Sequence, residues 1–71
     1  MRATVTITVN GEPREIPAGE TLGALLRRLE LDPRLIVVER NRDILRDREA
    51  FDTLALDEGD VLELVHFVGG G

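Results

Sequence analysis

Three consecutive glycines, Gly69-Gly70-Gly71, have the clearest chemical potential in this sequence. Glycine loses more conformational entropy on ordering than any other residue, so a tail needed only for packing would not favour it. Without Cβ atoms, such a segment can extend between two close walls, and its terminal carboxylate stays sterically open to attack. The residues alone leave two interpretations open: a tail threaded into a partner's channel, or a frayed chain end.

The remaining composition offers few groups for covalent or metal chemistry. None of the 71 residues is a cysteine, which excludes disulfides, thiolate metal sites and a cysteine nucleophile. His66 is the single histidine, so a metal site would need carboxylates. All nine basic residues are arginines, and no side-chain amine is available to receive an acyl group.

The acidic turn Asp57-Glu58-Gly59-Asp60 is the best candidate for a cation site. Such residues more often form solvated turns, so we predict a solvated turn and no metal site. Asp43 and Asp47 are interpreted in the same way, as polar loop residues. For His66, a structural or interface role is favoured over an acid–base role near the tail. No catalytic residue is predicted.

Charge and hydropathy exclude two classes of partner. A net charge of −5 opposes binding to phosphate backbones, and the only aromatic residues, Phe51 and Phe67, offer no platform for base stacking. An acidic domain fits a basic protein surface better. Apolar runs such as Leu35 to Val38 are too short to span a membrane, and no signal-peptide core is visible near Met1. We therefore expect a cytoplasmic protein without nucleic-acid or membrane partners.

The opening residues predict a β-hairpin. Thr4 to Val9 alternates with period two, as in a half-buried strand. Asn10-Gly11 suits the positive φ angles of a type I′ turn, and Glu12 to Ile16 is interpreted as the returning strand. Pro13 places that strand at an edge of the sheet, since proline has no N–H for a ladder.

One amphipathic helix follows the hairpin and a turn at residues 17–20. Thr21 is a candidate N-cap, and the helix is expected to end at Asp32-Pro33. The leucines on its apolar face have helical spacing. They are Leu22, Leu25, Leu26 and Leu29.

The second half predicts three more strands and an irregular segment. Leu35 to Arg40 is interpreted as a central strand, and Ile44-Leu45 as its short partner after a turn. The charged segment 46–53 is expected to be irregular and anchored by Phe51, and Val61 to Val68 forms the last strand. One helix on a mixed sheet of four to five strands gives an α+β roll, with the first and last strands parallel in its centre. The predicted core includes Val5, Ile7, Leu26, Ile36, Val38, Leu62 and Leu64.

Three parts of the chain together resemble the ThiS family, the bacterial ubiquitin-like sulfur carriers for the thiazole ring of thiamin. They are the opening hairpin and helix with Asn10-Gly11, the turn Asp57-Glu58-Gly59-Asp60, and the ending Leu62 to Gly71. The likeness covers essentially the whole chain, and EGDVLELVHFVGGG is its most specific part. It implies a β-grasp domain over residues 1–68 and a flexible glycine tail over residues 69–71.

The resemblance also implies a chemistry centred on Gly71. A ThiF-type adenylating enzyme would use ATP to activate the carboxylate of Gly71, and a persulfide from a cysteine desulfurase system would convert it to a thiocarboxylate. The thiocarboxylate would then donate sulfur to the thiazole synthase (ThiG). Gly70 matches the second glycine of the family's ending, and Gly69 extends the threaded tail. The chain itself would be a carrier without a bound cofactor.

Alternation along the last strand indicates where partners dock. Leu62 and Leu64 are expected to face the core, which places Glu63, Val65 and Phe67 on the outer face beside the tail. Two exposed apolar side chains there would form a docking patch. The alternative is that Phe67 folds over the end of the sheet and completes the core.

Other functions remain open at this point. A sulfur carrier for molybdopterin synthesis or for tRNA thiolation would share the tail chemistry and differ in its acceptor. A protein modifier would form isopeptide bonds through the same tail. A β-grasp binding module would have no sulfur chemistry, and removal of Gly70 and Gly71 would leave its function intact.

Overall fold

The computed structural model describes residues 3–66, and one α-helix packs on one face of a five-stranded mixed sheet. The strand order is β2-β1-β5-β3-β4. The elements are β1 (Thr4–Val9), β2 (Glu12–Pro17), α1 (Leu22–Arg28), β3 (Ile36–Arg40), β4 (Asp43–Leu45) and β5 (Val61–His66). This agrees with the α+β architecture predicted from the sequence.

The opening hairpin forms as its alternation predicts. β1 and β2 are antiparallel, with Val9 opposite Glu12 across a two-residue turn. Asn10 and Gly11 have φ angles of 50° and 83°, the left-handed values that a type I′ turn requires. β2 lies at the edge of the sheet, where the missing N–H of Pro13 is tolerated.

The helix begins as expected and ends earlier than expected. The Thr21 hydroxyl accepts a hydrogen bond from the backbone N–H of Ala24 and caps the first turn. The predicted end at Asp32-Pro33 is wrong, because α1 ends at Arg28 and Glu30 adopts a left-handed φ of 60°. The N–H of Leu31 then bonds to the carbonyl of Leu26, as in a Schellman motif. This early end turns the apolar Leu31 back toward the core.

β3 differs from the prediction in its start and its place. It begins at Ile36, because Leu35 closes a 3-10 turn and is exposed. β3 is an interior strand, but it is not the central one, since it pairs with the short edge strand β4 on one side and with β5 on the other. The sequence pattern could not show which interior strand lies at the centre of the sheet, because a high content of β-branched residues indicates burial and not strand order.

The central strand is β5. It pairs in parallel with β1, where Val9 lies beside Leu62, and antiparallel with β3, where Val38 lies beside Leu64. The predicted parallel contact between the first and last strands is therefore confirmed. Leu64 is a correction to the predicted core, because it is half-buried near the end of the sheet. The fully buried side chains are Ile7, Ile16, Leu22, Leu25, Leu26, Ile36, Val38, Leu56 and Leu62.

The irregular segment between β4 and β5 is held against the start of the helix. Phe51 is 4% exposed, which confirms it as the anchor. Its carbonyl accepts a hydrogen bond from the N–H of Gly23, and the carbonyl of Leu54 accepts one from the N–H of Leu22. Two N–H groups of the first helical turn, which have no partner within a helix, are satisfied in this way.

Candidate functional site at the end of the last strand

The predicted site residues divide between described and undescribed parts of the chain. Gly69, Gly70, Gly71 and Phe67 lie outside the described residues, as does the predicted domain boundary after residue 68. The predicted last strand is described as far as His66. The described part of the candidate site therefore consists of β5 and of the contacts that fix the two ends of this strand.

The outer sheet face, which is the face away from α1, carries the predicted docking residues. Glu63 and Val65 are exposed as the alternation predicted, and Val65 is 56% exposed. Val65 pairs with Val37 of β3, and Glu63 pairs with Glu39. An apolar pair thus lies at the tail-bearing end of this face, next to a pair of carboxylates.

Two further apolar side chains are exposed, one on β5 and one on β4. Val61 begins β5, and its alternation with Glu63 already places it on the outer sheet face. Ile44 lies on β4 opposite Glu39, and it is also exposed. Neither residue belongs to the docking patch predicted from the sequence. The alternation along β5 already indicated that Val61 is exposed on the outer sheet face. The position of Ile44 on that face follows only from the register between β3 and β4.

The end of β5 is fixed by Asn10, a residue of the opening hairpin turn. The Oδ1 atom of Asn10 accepts a hydrogen bond from the N–H of Leu64 at 2.7 Å. Its Nδ2 atom donates to the carbonyl of Leu64 at 3.3 Å. The backbone N–H of Asn10 also bonds to the carbonyl of Leu62 at 2.9 Å. A single turn residue therefore holds both polar backbone groups of Leu64.

The start of β5 is fixed by a buried carboxylate, Asp60. Its Oδ2 accepts hydrogen bonds from Arg40 Nη2 at 2.7 Å and from the N–H of Asp57 at 2.8 Å, and its Oδ1 accepts one from Asn41 Nδ2 at 3.1 Å. Only 6% of Asp60 is exposed. The prediction of a solvated acidic turn is wrong for this residue, because β3 supplies a cation that the turn sequence does not show.

The electrostatics of Asp60 follow from this enclosure. Burial by itself raises the pKa of Asp60, but hydrogen bonds from the N–H of Asp57, from Asn41 and from Arg40, together with the charge of Arg40, outweigh it. The pKa therefore lies below the ordinary value for aspartate. Asp60 is thus an ionised structural carboxylate.

The other acidic candidates also make local contacts. Asp57 is largely exposed and forms a second ion pair with Arg40 at 3.1 Å. Glu58 accepts a hydrogen bond from the N–H of Thr6 at 3.0 Å. Within residues 3–66, no three acidic or histidine side chains are arranged to hold a metal ion.

The remaining polar candidates lie at the ends of elements. Asp43 begins β4, and the side chain of Asp47 accepts a hydrogen bond from the N–H of Glu49 at the start of a 3-10 turn. Asp47 is therefore a polar loop residue, as predicted, whereas the prediction is wrong for Asp43, which pairs with Arg40 as the first residue of β4. His66 is exposed at the end of β5 opposite Ile36. Of the helices in residues 3–66, none is long and apolar enough to cross a membrane.

The architecture defines a class of protein that solved structures confirm. A computationally designed protein based on human ubiquitin has a TM-score of 0.55 to this chain at 22% identity, covering 99% of this chain and 98% of that one. The ThiS thiamine biosynthesis protein of Geobacter metallireducens has a TM-score of 0.78 at 33% identity, covering 94% of this chain and 100% of that one. The protein therefore has the ubiquitin-like β-grasp fold.

Sequence comparison identifies the family. The model of the ThiS family matches residues 7–71, and the chain belongs to this family. The sulfur carrier protein ThiS of Bacillus subtilis is 41% identical over 51 residues, which cover 72% of this chain and 76% of that protein. A thiazole synthase of Magnetococcus marinus is 43% identical over 65 residues, which are 92% of this chain. The chain spans about a fifth of the length of the thiazole synthases that it matches.

Proposed function

We propose that this ThiS-family chain carries sulfur as a thiocarboxylate on the carboxyl group of Gly71. The observation that carries the proposal is the family match over residues 7–71, which includes all three glycines. The composition supports it, since a chain of 71 residues without cysteine has no thiol that could hold or intercept the sulfur. The chain acts as a co-substrate, and partner enzymes supply the catalytic groups.

The proposed chemistry needs activation because a carboxylate has a poor leaving group. An oxygen of the Gly71 carboxylate attacks the α-phosphorus of ATP, pyrophosphate leaves, and an acyl adenylate forms. The terminal sulfur of a persulfide attacks the acyl carbon and expels AMP. A thiol then cleaves the resulting acyl disulfide, which releases the thiocarboxylate and leaves a disulfide on the donor side. Covalent activation of this kind divides one difficult substitution into easier steps.

Three partners follow from this chemistry. A ThiF-type adenylating enzyme binds ATP and the tail, and a cysteine desulfurase system supplies the persulfide. The thiazole synthase (ThiG) is the proposed acceptor. The thiazole synthases of Magnetococcus marinus and Paramagnetospirillum magneticum support this choice, since each contains a stretch more than 40% identical to this chain. The same comparison favours thiazole over molybdopterin or tRNA as the destination of the sulfur.

Docking of the carrier is proposed to use the outer sheet face next to the tail. Val65 is exposed there beside Val37, and Phe67 follows two residues later. Exposed apolar side chains at the centre of an interface supply most of its binding energy. Glu63 lies beside this apolar pair and gives the face a charge that a basic partner surface would match.

A single loading experiment tests the tail and the docking face together. Carrier, ATP, adenylating enzyme and a persulfide donor are incubated, and the mass of the carrier is measured with its affinity for both enzymes. We expect a gain of about 16 Da on Gly71, since one oxygen is replaced by sulfur. Deletion of Gly71 should abolish this gain and leave docking largely intact.

The docking residues have their own expected pattern in that experiment. Val65→Ala and Phe67→Ala should each weaken binding by about 2 kcal/mol with little change in melting temperature. Glu63→Ala is the matched control on the same strand, and it should change the association rate and its salt dependence. If Gly71 deletion abolished docking while Val65→Ala and Phe67→Ala left it unchanged, the docking face would be rejected. If Phe67→Ala lowered the melting temperature, Phe67 would belong to the core.

A further inference from the structure

The opening hairpin turn contacts the strand that leads to the tail, although 54 residues separate Asn10 from Leu64. β1 and β5 run parallel, and their ladder includes Val9 beside Leu62. The chain then leaves the ladder at the Asn10-Gly11 turn to form β2. Beyond this turn, β1 has no backbone left to pair with Leu64.

The side chain of Asn10 takes the place of that missing backbone. A carboxamide carries the same donor and acceptor as a peptide unit. Its oxygen accepts from the N–H of Leu64 at 2.7 Å, and its nitrogen donates to the carbonyl of Leu64 at 3.3 Å. The parallel ladder is thereby extended by one residue of β5 after the backbone of β1 has turned away.

We propose that Asn10 is a positioning residue, which holds the β1 side of the tail-bearing end of β5 and so fixes the direction of this end, whose other side pairs with β3. The proposal rests on the proposed function, because it concerns delivery of Gly71 to partner enzymes. Gly71 follows Leu64 by seven residues, which reach at most about 25 Å when extended. Without the clamp, the β1 side of β5 is held only as far as Leu62, and Leu64 keeps only its pairing with Val38 of β3.

The expected consequence is a change in substrate binding. Fixing the backbone of one residue costs binding a factor of about five or more. A carrier whose Leu64 is held from the β3 side alone should have more freedom to lose there on docking, and it should therefore show a raised KM for loading. The turnover number at saturation should stay the same, since the bound tail reaches the same geometry. Val65 of the outer sheet face follows Leu64 directly, so its presentation should depend on the same clamp.

The chain offers a matched control in its second hairpin turn. Asn41 also has a left-handed φ, of 52°, and its Oδ1 accepts a hydrogen bond from the N–H of Val61 at 2.9 Å. Its Nδ2 donates to Asp60. Asn41 therefore clamps the start of β5, whereas Asn10 clamps the end near the tail. Glycine accepts positive φ, so Asn10→Gly and Asn41→Gly each remove a clamp without straining the turn.

The test compares these two variants in the full chain by two measurements. Amide hydrogen exchange reports local opening without any sulfur chemistry. Asn10→Gly should speed exchange at Leu64 by about tenfold, and Asn41→Gly should speed it at Val61 and leave Leu64 unchanged. In sulfur loading, Asn10→Gly should raise KM about fivefold at constant kcat. Asn41→Gly should change KM less than twofold, although it lowers the melting temperature at least as far.

The outcomes separate the clamp from the proposed function. Asn10→Asp keeps the acceptor for the Leu64 N–H and loses the donor, so its KM should lie between those of the parent chain and Asn10→Gly. Unchanged exchange at Leu64 in Asn10→Gly would overturn the proposal. Equal rises in KM for Asn10→Gly and Asn41→Gly would also overturn it, because general destabilisation would then explain the effect. If the parent chain gained no sulfur, the proposed function would fail, and the exchange measurement would still decide whether Asn10 holds the strand end.

Discussion

The two hairpin turns within residues 3–66 have the same backbone form and different support. The first turn is Asn10-Gly11, with φ angles of 50° and 83°, and the second is Asn41-Arg42, with φ angles of 52° and 76°. In both, the asparagine side chain holds β5. The second turn adds the buried carboxylate of Asp60, which joins Asn41 to Arg40.

The difference shows two ways of holding a central strand. Gly11 adopts its left-handed conformation without steric cost, so the first turn is stable by its own residues. Arg42 has a side chain in the same region of φ, which costs a non-glycine residue roughly 1 kcal/mol or more. The second turn is imposed by its surroundings, namely the ion pair beneath it. The start of β5 is therefore anchored by buried charge, whereas the β1 side of its end is anchored by one exposed carboxamide.

The largest expected effect comes from removing the anchor of the second turn. Asp60→Ala leaves Arg40 with the exposed carboxylate of Asp57 and the carbonyl of Ala55, and the Asn41 amide loses its acceptor. We expect a loss of about 3 kcal/mol in the free energy of unfolding, measured by urea denaturation. Asn10→Gly, which removes the anchor of the first turn, should cost about 1 kcal/mol. If Asp60→Ala and Asn10→Gly lost similar free energies of unfolding, the two turns would be stabilised to the same extent by their surroundings.

A reciprocal exchange of turn residues should give opposite signs. Gly11→Arg places a side chain at positive φ, where a Cβ would meet no atom within 4 Å, so its cost is conformational. It should destabilise the chain by about 1 kcal/mol. Arg42→Gly should stabilise it by somewhat less, about 0.5 kcal/mol, because glycine also gains entropy in the unfolded state. Thermal melts of both variants provide the measurement, and destabilisation by Arg42→Gly would show that the arginine side chain makes a stabilising contact.

The smallest expected effect is a difference in acid sensitivity. The folded pKa of Asp60 lies below its unfolded value, so the folded state favours the ionised form. Its contribution to stability is complete above the unfolded pKa, near 4, and it is lost as the pH falls through the folded pKa. Asp60→Asn should therefore have a flatter stability profile below pH 4 than the parent chain, and Asn10→Gly should run parallel to the parent. If the parent chain, Asp60→Asn and Asn10→Gly had parallel profiles of stability against pH, Asp60 would not be a source of acid sensitivity.

A second carboxylate tests whether that acid sensitivity is confined to the second turn. Hydrogen bonds from the side chain and the N–H of Arg34 lower the pKa of Asp32 to about 2. Arg34 is exposed, Asp32 is half-buried, and the pair lies outside both turns, so it should contribute little to the free energy of unfolding. Asp32→Asn is therefore the control for Asp60→Asn in the same pH series.

Patterns among residues close together in the sequence determined several elements of the fold and pointed to the family. Alternation and Asn10-Gly11 defined the first hairpin, the leucine spacing and Thr21 defined the helix face and its start, and the ending Leu62 to Gly71 pointed to the family. These features are readable because each depends on residues close together in the chain. The chemical group of the proposed site, the Gly71 carboxyl, also came from the sequence alone.

Tertiary structure decided what depends on residues far apart in the chain. The burial of Asp60 required Arg40, which comes from another strand, so a turn that looked solvated encloses an ion pair. The early end of α1 depended on Leu31 reaching the core, and the clamp of Asn10 on Leu64 depended on the parallel placement of β1 and β5. Strand order brings these partners together, and a single sequence carries no local signal for strand order. The chemistry proposed for the tail thus depends on the tail's own residues, whereas the support of the strand that leads to it is a property of the fold.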